Sequence, residues 1–313
     1  MRLDLLLIDR HPELSRRRAR DVIEKGQVTV DGTVVQAPGC DVRADVALRF
    51  DPNRKALPRA RLSLPLLYQD EDLLVIDKPA GLLTVPTAAG LDDEDTALHR
   101  VRAYAAHLSP RKPYVGVVHR IDRDTSGAVA FALSPASRAA LRALFREHRI
   151  ERRYVALVEG VPRADRGIVD RPLHDAYEGG RRRVARPGEP ASPALTRWRV
   201  VERLHRAALL EIELETGRQH QIRVHLAHQG TPILGDAVYR PRDAPPPPLR
   251  VRRQMLHARL LAFVHPSTGA AVRAQSPLPG DFERALLELR GRDPAHGAPR
   301  RRPKRASGVR SIR

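Results

Sequence analysis

"VHRIDRDTSGAVAFALS", residues 118–134, decides how this chain is read. His119, Arg120, Asp122, Arg123, Asp124, Thr125 and Ser126 crowd together, and an apolar run, Val129–Leu133, follows at once. A short continuous apolar run bounded in this way suits a strand. A strand that only had to fold needs no such group of ionic side chains at its mouth. Strand ends are where open sheets build sites. Asp122 is therefore open to two readings: an ion-pair partner in an arginine-rich loop, or a group that does chemistry.

Two more stretches share this character. "VIDKPAGLLTVP" (75–86) is an apolar strand ending in Asp77, Lys78 and Pro79. "ETGRQHQIRVHLAHQGTPILGDAVY" (215–239) is dense in polar groups and glycines. Around them, strands are expected at Leu73–Ile76, Val129–Leu133, Tyr154–Val158, Thr196–Val201, Leu209–Glu215, Arg259–Val264 and Ala271–Gln275. Ser134 caps a helix that opens with Pro135, and a second helix runs through "RQHQIRVHLAHQ". Strands and helices do not alternate strictly. The expected fold is α+β: a mixed, largely antiparallel sheet flanked by helices. "RDAPPPPLR" (242–250) reads as a surface excursion.

The first fifty residues read as a separate unit. Leu3, Leu6 and Leu7 have helical spacing and Pro12 ends that helix. Ser15 is placed to cap "RRRARDVIEK", with Gly26 just past its end. "QVTVDGTVVQ" is a hairpin around an Asp31-Gly32 turn, and "DVRADVALRF" adds a strand. The division expected is 1–50, a linker at 51–63, a main domain at 64–290, and a basic, disordered tail at 291–313.

The 313 residues carry 56 Lys+Arg against 37 Asp+Glu, a net charge of +19. Only five of the basic residues are Lys, a sign of compositional bias toward Arg. Such bias exchanges one cation for another and does not create a surplus, so a polyanion such as RNA is the expected partner. Cys40 is the single cysteine, which leaves no intramolecular disulfide and no cysteine-based zinc site. The apolar run Leu5–Ile8 is too short for a signal-peptide core. No stretch reaches membrane-spanning length. A cytoplasmic protein, acting as a monomer on RNA without a membrane partner, is expected. At 4% aromatic residues, a broad stacking sheet for bases is disfavoured.

Together these stretches carry a resemblance. "HRIDRDTSG" is similar to the signature of the RluA-type pseudouridine synthases, and "DKPAGLLTVP", "RRYVALVEG", "TGRQHQIRVHL…GTPILGDAVY" and "HARLLAFVHPSTG" resemble that family's other blocks in the same order. Ile121 stands where leucine is commoner, a volume-conserving change. Residues 1–50 resemble the small RNA-binding module called the S-four domain. That resemblance turns Arg16, Arg17, Arg18 and Arg20, otherwise a solvated helix face, toward phosphate. "RRRVARPGEPASPALTRWRV" (181–200) looks like the family's variable hairpin with added positive charge.

The resemblance implies isomerisation of uridine to pseudouridine in structured RNA, most of all large-subunit ribosomal RNA, with transfer RNA second. The rival from another class is a non-catalytic RNA-binding assembly factor. The reaction breaks the N1–C1′ bond, turns the uracil and makes a C5–C1′ bond. It imports no group and changes no oxidation state, so no cofactor and no metal are expected. An ionised Asp122 can stabilise a cationic C1′, attack it, or take the C2′ proton. A cation within about 4–6 Å favours that ionised form, and the resemblance gives this part to Arg223. It also sets Tyr154 on the target uracil, Ile222 as an apolar wall, and Arg120 as a wedge into the gap left by an everted base. A bland alternative leaves Arg120 on phosphate. His225 and His228, with His220 nearby, raise a metal site only weakly, because no acidic ligand shares their helix face. Thr125 and Ser126 are expected to hold the loop through side-chain-to-backbone bonds, with Gly127 allowing the turn into the strand.

Overall fold

The computed structural model describes residues 1–35, 38, 39, 42–54, 64–87, 95–108, 113–177 and 179–292. The tail expected from 291 thus lies almost wholly outside the described residues, as do Cys40 and the linker from 55 onward.

The chain opens with helices α1 (Leu3–Arg10) and α2 (Arg16–Glu24), then strands β1 (Val28–Val30), β2 (Thr33–Val34) and β3 (Leu48–Phe50). Ser15 caps α2 by accepting the Arg18 N–H at 3.2 Å. Asp31 and Gly32 both have positive φ, the geometry of the tight turn that suits a two-residue hairpin. β3 pairs with β1, giving the order β2-β1-β3. Leu3, Leu6 and Leu7 of α1 meet Ala19, Val22 and Ile23 of α2 over Val28 and Val30 in one small core.

Next come β4 (Leu66–Gln69), β5 (Leu73–Lys78), α3 (Ala97–Leu108), β6 (Gly116–Val117), β7 (Ser126–Ala132), α4 (Pro135–Arg146), β8 (Glu151–Glu159) and β9 (Arg166–Asp170). A short ribbon, β10 (Leu173–His174) and β11 (Ala191–Ser192), precedes β12 (Leu195–Leu204) and β13 (Ala207–Leu214). The chain continues through α5 (Gln221–His228), β14 (Leu256–Val264), β15 (Ala271–Gln275) and α6 (Gly280–Gly291). The main sheet has ten strands, its longest path running β4-β5-β7-β14-β8-β13-β12-β9. β14 runs parallel to β7 and antiparallel to β8. The mixed, largely antiparallel sheet matches the expectation.

Helices cover both faces. Ile76, Val129, Phe131 and Leu210 pack under Val101 of α3 and Ile222 of α5. On the other face Val75 and Ala130 meet Leu141 and Leu144 of α4, and Leu157 and Leu209 meet Phe282 and Leu286 of α6. β7 is buried along its whole length, as its continuous apolar run requires. No helix among the described residues is long and apolar enough to cross a membrane.

Gly127 is required by more than its turn. Its φ is +118°, and a Cβ there would lie 2.2 Å from the Ala258 carbonyl oxygen on β14. Gly127→Ala should therefore cost ~3 kcal/mol or more, from backbone strain and the lost β7–β14 approach. Gly230→Ala, at φ +85° with open space around it, should cost only about 1–2 kcal/mol. Urea-unfolding midpoints of the two variants check the difference.

Candidate active site

Residues 118–125 form a loop between β6 and β7, and its backbone is held from three distant parts of the chain. Thr84 Oγ1 donates to the Ile121 carbonyl at 2.8 Å. Lys78 Nζ and the Gly81 N–H both donate to the Arg123 carbonyl, at 2.8 and 3.0 Å. Arg253 Nη1 donates to the Asp124 carbonyl at 3.0 Å. Lys78 is fully buried at the end of β5 and also donates to the Pro79 and Leu82 carbonyls. Burial pulls its ammonium down to about 7, against the pull of Asp124 and Asp122. Three carbonyl acceptors need all three ammonium hydrogens, so the bonded group is the cation.

On this loop Asp122 Oδ2 accepts from Arg223 Nη1 at 3.2 Å. Arg223 is buried on α5, and its other two nitrogens each donate to Asp236: Nε to Oδ2 at 2.7 Å and Nη2 to Oδ1 at 2.9 Å. Burial opposes the Arg223 charge, but Asp236 and Asp122 together hold the guanidinium above its ordinary value. Asp236 is fixed in turn by the Val238 and Tyr239 N–H groups. Arg223 lies 5.0 Å from the centre of the Tyr239 ring.

His220 sits in the left-handed region, φ +60°, directly before α5. Tyr239 Oη accepts the Arg182 N–H at 2.9 Å and is 2.7 Å from His220 Nδ1. His220 Nε2 lies 3.8 Å from Asp122 Oδ2.

Asp122, Arg120, Tyr154, Ile222 and Arg223 all line one cleft of about 550 Å³. Tyr154 is buried on β8. Burial, with the Asp122 charge and against that of Arg152, pushes its hydroxyl up to about 12, so it stays a phenol at neutral pH. Ile222 is buried and Arg120 exposed at the rim. Arg16, Arg17, Arg18 and Arg20 lie apart from the cleft, exposed on α2, with Arg18 3.3 Å from Asp21.

Two details differ from the sequence reading. Ser126 Oγ bonds side chains, 2.9 Å from His257 Nδ1 and 3.4 Å from Arg253 Nη2, and not the loop backbone. Thr125 Oγ1 is buried without a partner among the described residues. The loop carbonyls are already taken by Lys78, Thr84, Gly81 and Arg253, so neither hydroxyl is needed there. His225 is buried with Nδ1 2.8 Å from Thr196 Oγ1 and Nε2 2.9 Å from the Arg171 carbonyl. Both its nitrogens are occupied, as in a satisfied core histidine.

The sequence reading did not single out Asp236, Tyr239 or Arg253. Asp236 carried a signal: it is the one aspartate in the 215–239 block and stands between apolar residues. Lys78 was visible only as part of its block.

A family model described as RNA pseudouridylate synthase matches residues 72–228, and an S4 domain model matches residues 1–46. The ribosomal large subunit pseudouridine synthase D of Pseudomonas aeruginosa is 36% identical over 92% of this chain and 92% of its own. An RNA pseudouridine synthase of Synechocystis, named as uncharacterized, is 35% identical over 94% of this chain and 90% of its own. In structure, human RNA pseudouridylate synthase domain containing 4 aligns with a TM-score of 0.61 and 27% identity, over 72% of this chain and 93% of that one. These likenesses define an RNA-modifying isomerase with an RNA-binding module in front. The chain belongs to the RluA-type RNA pseudouridine synthases.

Histidines whose values folding depresses make stability depend on pH, His119 and His257 most of all. His119 Nε2 accepts the Ala130 N–H at 2.9 Å, and burial, then Arg152, pulls its imidazole down to about 3. Burial pulls His257 to about 4. Both are basic groups depressed by folding, so between pH 4 and the ordinary value of 6.5 the unfolded chain binds protons that the folded one refuses. Stability should be insensitive to these groups above about pH 6.5. Below that it should fall by up to about 1.4 kcal/mol per pH unit for each histidine. Urea unfolding from pH 7 to 4 checks the slope, and His119→Gln should remove its share.

Proposed function

We propose that Asp122 is the catalytic group of this synthase and that its substrate is a uridine of large-subunit ribosomal RNA. The observation that carries the reading is the Asp122–Arg223–Asp236 ladder at the floor of a cleft that also holds Tyr154. Nothing but a carboxylate beside a cation is needed to act at C1′ or C2′. The N1–C1′ bond breaks, the freed uracil turns, and C5 bonds to C1′. The C5 proton leaves and N1 takes one up, so the product is an isomer of the substrate.

Tyr154 lies along the uracil, Ile222 closes the apolar side, and Arg120 fills the gap in the RNA stack, offsetting a few kcal/mol of unstacking. Residues 1–50 grip helical RNA through Arg16, Arg17, Arg18 and Arg20, while residues 64–290 carry the reaction. Ribosomal RNA is favoured over transfer RNA because the relative in Pseudomonas aeruginosa is named for the ribosomal large subunit.

Tritium released from C5-labelled large-subunit RNA tests the reading, with mapping of the new pseudouridine in the product. Wild-type protein should release label. Asp122→Asn should lose about 10³-fold or more of the rate while binding the same RNA. Label release by Asp122→Asn at the wild-type rate would remove Asp122 from the reaction, and modification of transfer RNA alone would correct the substrate. Deleting residues 1–50 should weaken binding and flatten its salt dependence, and unchanged affinity in that deletion would refute the grip.

A further inference from the structure

The cleft holds a cation that the chemistry above leaves unused. Arg152 is 8% exposed and has no carboxylate partner among the described residues. Its Nε is buried without a hydrogen bond among the described residues, while Nη2 donates to the Glu215 carbonyl at 2.6 Å. The guanidinium lies 5.7 Å from the centre of the Phe145 ring. Gly217 makes room for it: a Cβ there would lie 2.7 Å from Arg152 Nη1. An arginine keeps its charge when buried, and a buried charge without a counter-ion is costly. The fold keeps this one facing the cleft.

It does not stand alone. Arg142 and Arg146, one turn apart on α4, line the same cleft and are exposed without carboxylate partners among the described residues. The two acids of the cleft lining are committed elsewhere. Asp122 faces Arg223, and the Glu215 carboxylate is 2.6 Å from Arg197 Nε. The missing counter-charge must therefore arrive with the ligand. The anions of RNA are its phosphates, and a guanidinium fork suits two oxygens of one phosphate. Arg152 stands two residues before Tyr154 on β8, about 7 Å along the strand. A nucleotide whose base reaches Tyr154 brings its own backbone phosphate along.

We infer that Arg152, with Arg142 and Arg146 of α4, forms a subsite for a backbone phosphate flanking the everted uridine. The inference rests on reading the Asp122 cleft as the uridine site. Neutralising the buried charge is a gain realised only once the nucleotide has left its stack, so the subsite favours the everted state.

The test uses the stem-loop around the mapped target, synthesised with a neutral methylphosphonate at each linkage flanking the uridine in turn. Wild-type protein should lose about tenfold or more in affinity at one linkage, the size of a lost charge-assisted hydrogen bond. Arg152→Gln should bind the unmodified stem-loop about tenfold more weakly and no longer distinguish that linkage. Identical methylphosphonate profiles for wild type and Arg152→Gln would overturn the subsite. Should Arg152→Gln fail to fold, the paired variant Arg142→Ala with Arg146→Ala replaces it. A reduced effect at the same linkage supports the proposal, and an unchanged profile overturns it. Pseudouridine formation by wild-type protein on the unmodified stem-loop separates the two failures: if it occurs, only the subsite is wrong, and if it does not, the reading of the cleft is wrong.

Discussion

One buried guanidinium organises this protein. Arg223 is shared unequally between two aspartates: Asp236 takes Nε and Nη2, and Asp122 receives Nη1 alone. An arginine free to turn would bind a single carboxylate through two parallel bonds and occupy both its oxygens. Asp236 forestalls that by taking up the fork. Asp122 thereby meets the cation through Oδ2, while no bond occupies Oδ1 among the described residues. Burying the pair is expensive in itself, and the N–H groups of Val238 and Tyr239 lower that cost by bonding Asp236.

Placing Asp122 against Arg223 is a backbone problem as much as a side-chain one. The loop that carries it offers carbonyls that would otherwise be buried and unsatisfied. Lys78 from the end of β5, Thr84 and Gly81 from the segment after it, and Arg253 from just before β14 bond to them. Arg253 in turn is clasped by Asp281 in the first turn of α6, through Nε at 2.6 Å and Nη2 at 2.9 Å. Beneath the loop a chain of hydrogen bonds runs from Ser126 through His257 and Ser276 to Asp77. Separate sequence blocks therefore serve one loop.

That distribution governs what could be read beforehand. Strands β5, β7 and β15 and the cap at Ser134 follow from apolar runs and local turn chemistry, which a single segment reveals. The chemistry at residues 119–126 was visible because ionic groups at a strand mouth are conspicuous in any context. Arg253 was not visible and Asp236 only faintly so, because their importance lies in partners 129 and 13 residues away. Thr125 and Ser126 were misassigned for the same reason, since the bonds they were expected to make are supplied from afar. The parallel pairing of β7 with β14 likewise leaves no local mark except Gly127.

The place of β14 in the sheet has a consequence for how the protein is made. β7 and β8 are consecutive in the sequence, yet β14 lies between them, with His257 meeting Ser126 across 131 residues. While the chain is leaving the ribosome, the slot between those two strands has no occupant and the loop above it lacks Arg253. The small N-terminal core is made of neighbouring segments and can form early. A nascent chain can thus complete its N-terminal core well before β14 takes its place between β7 and β8 and brings Arg253 to the loop above.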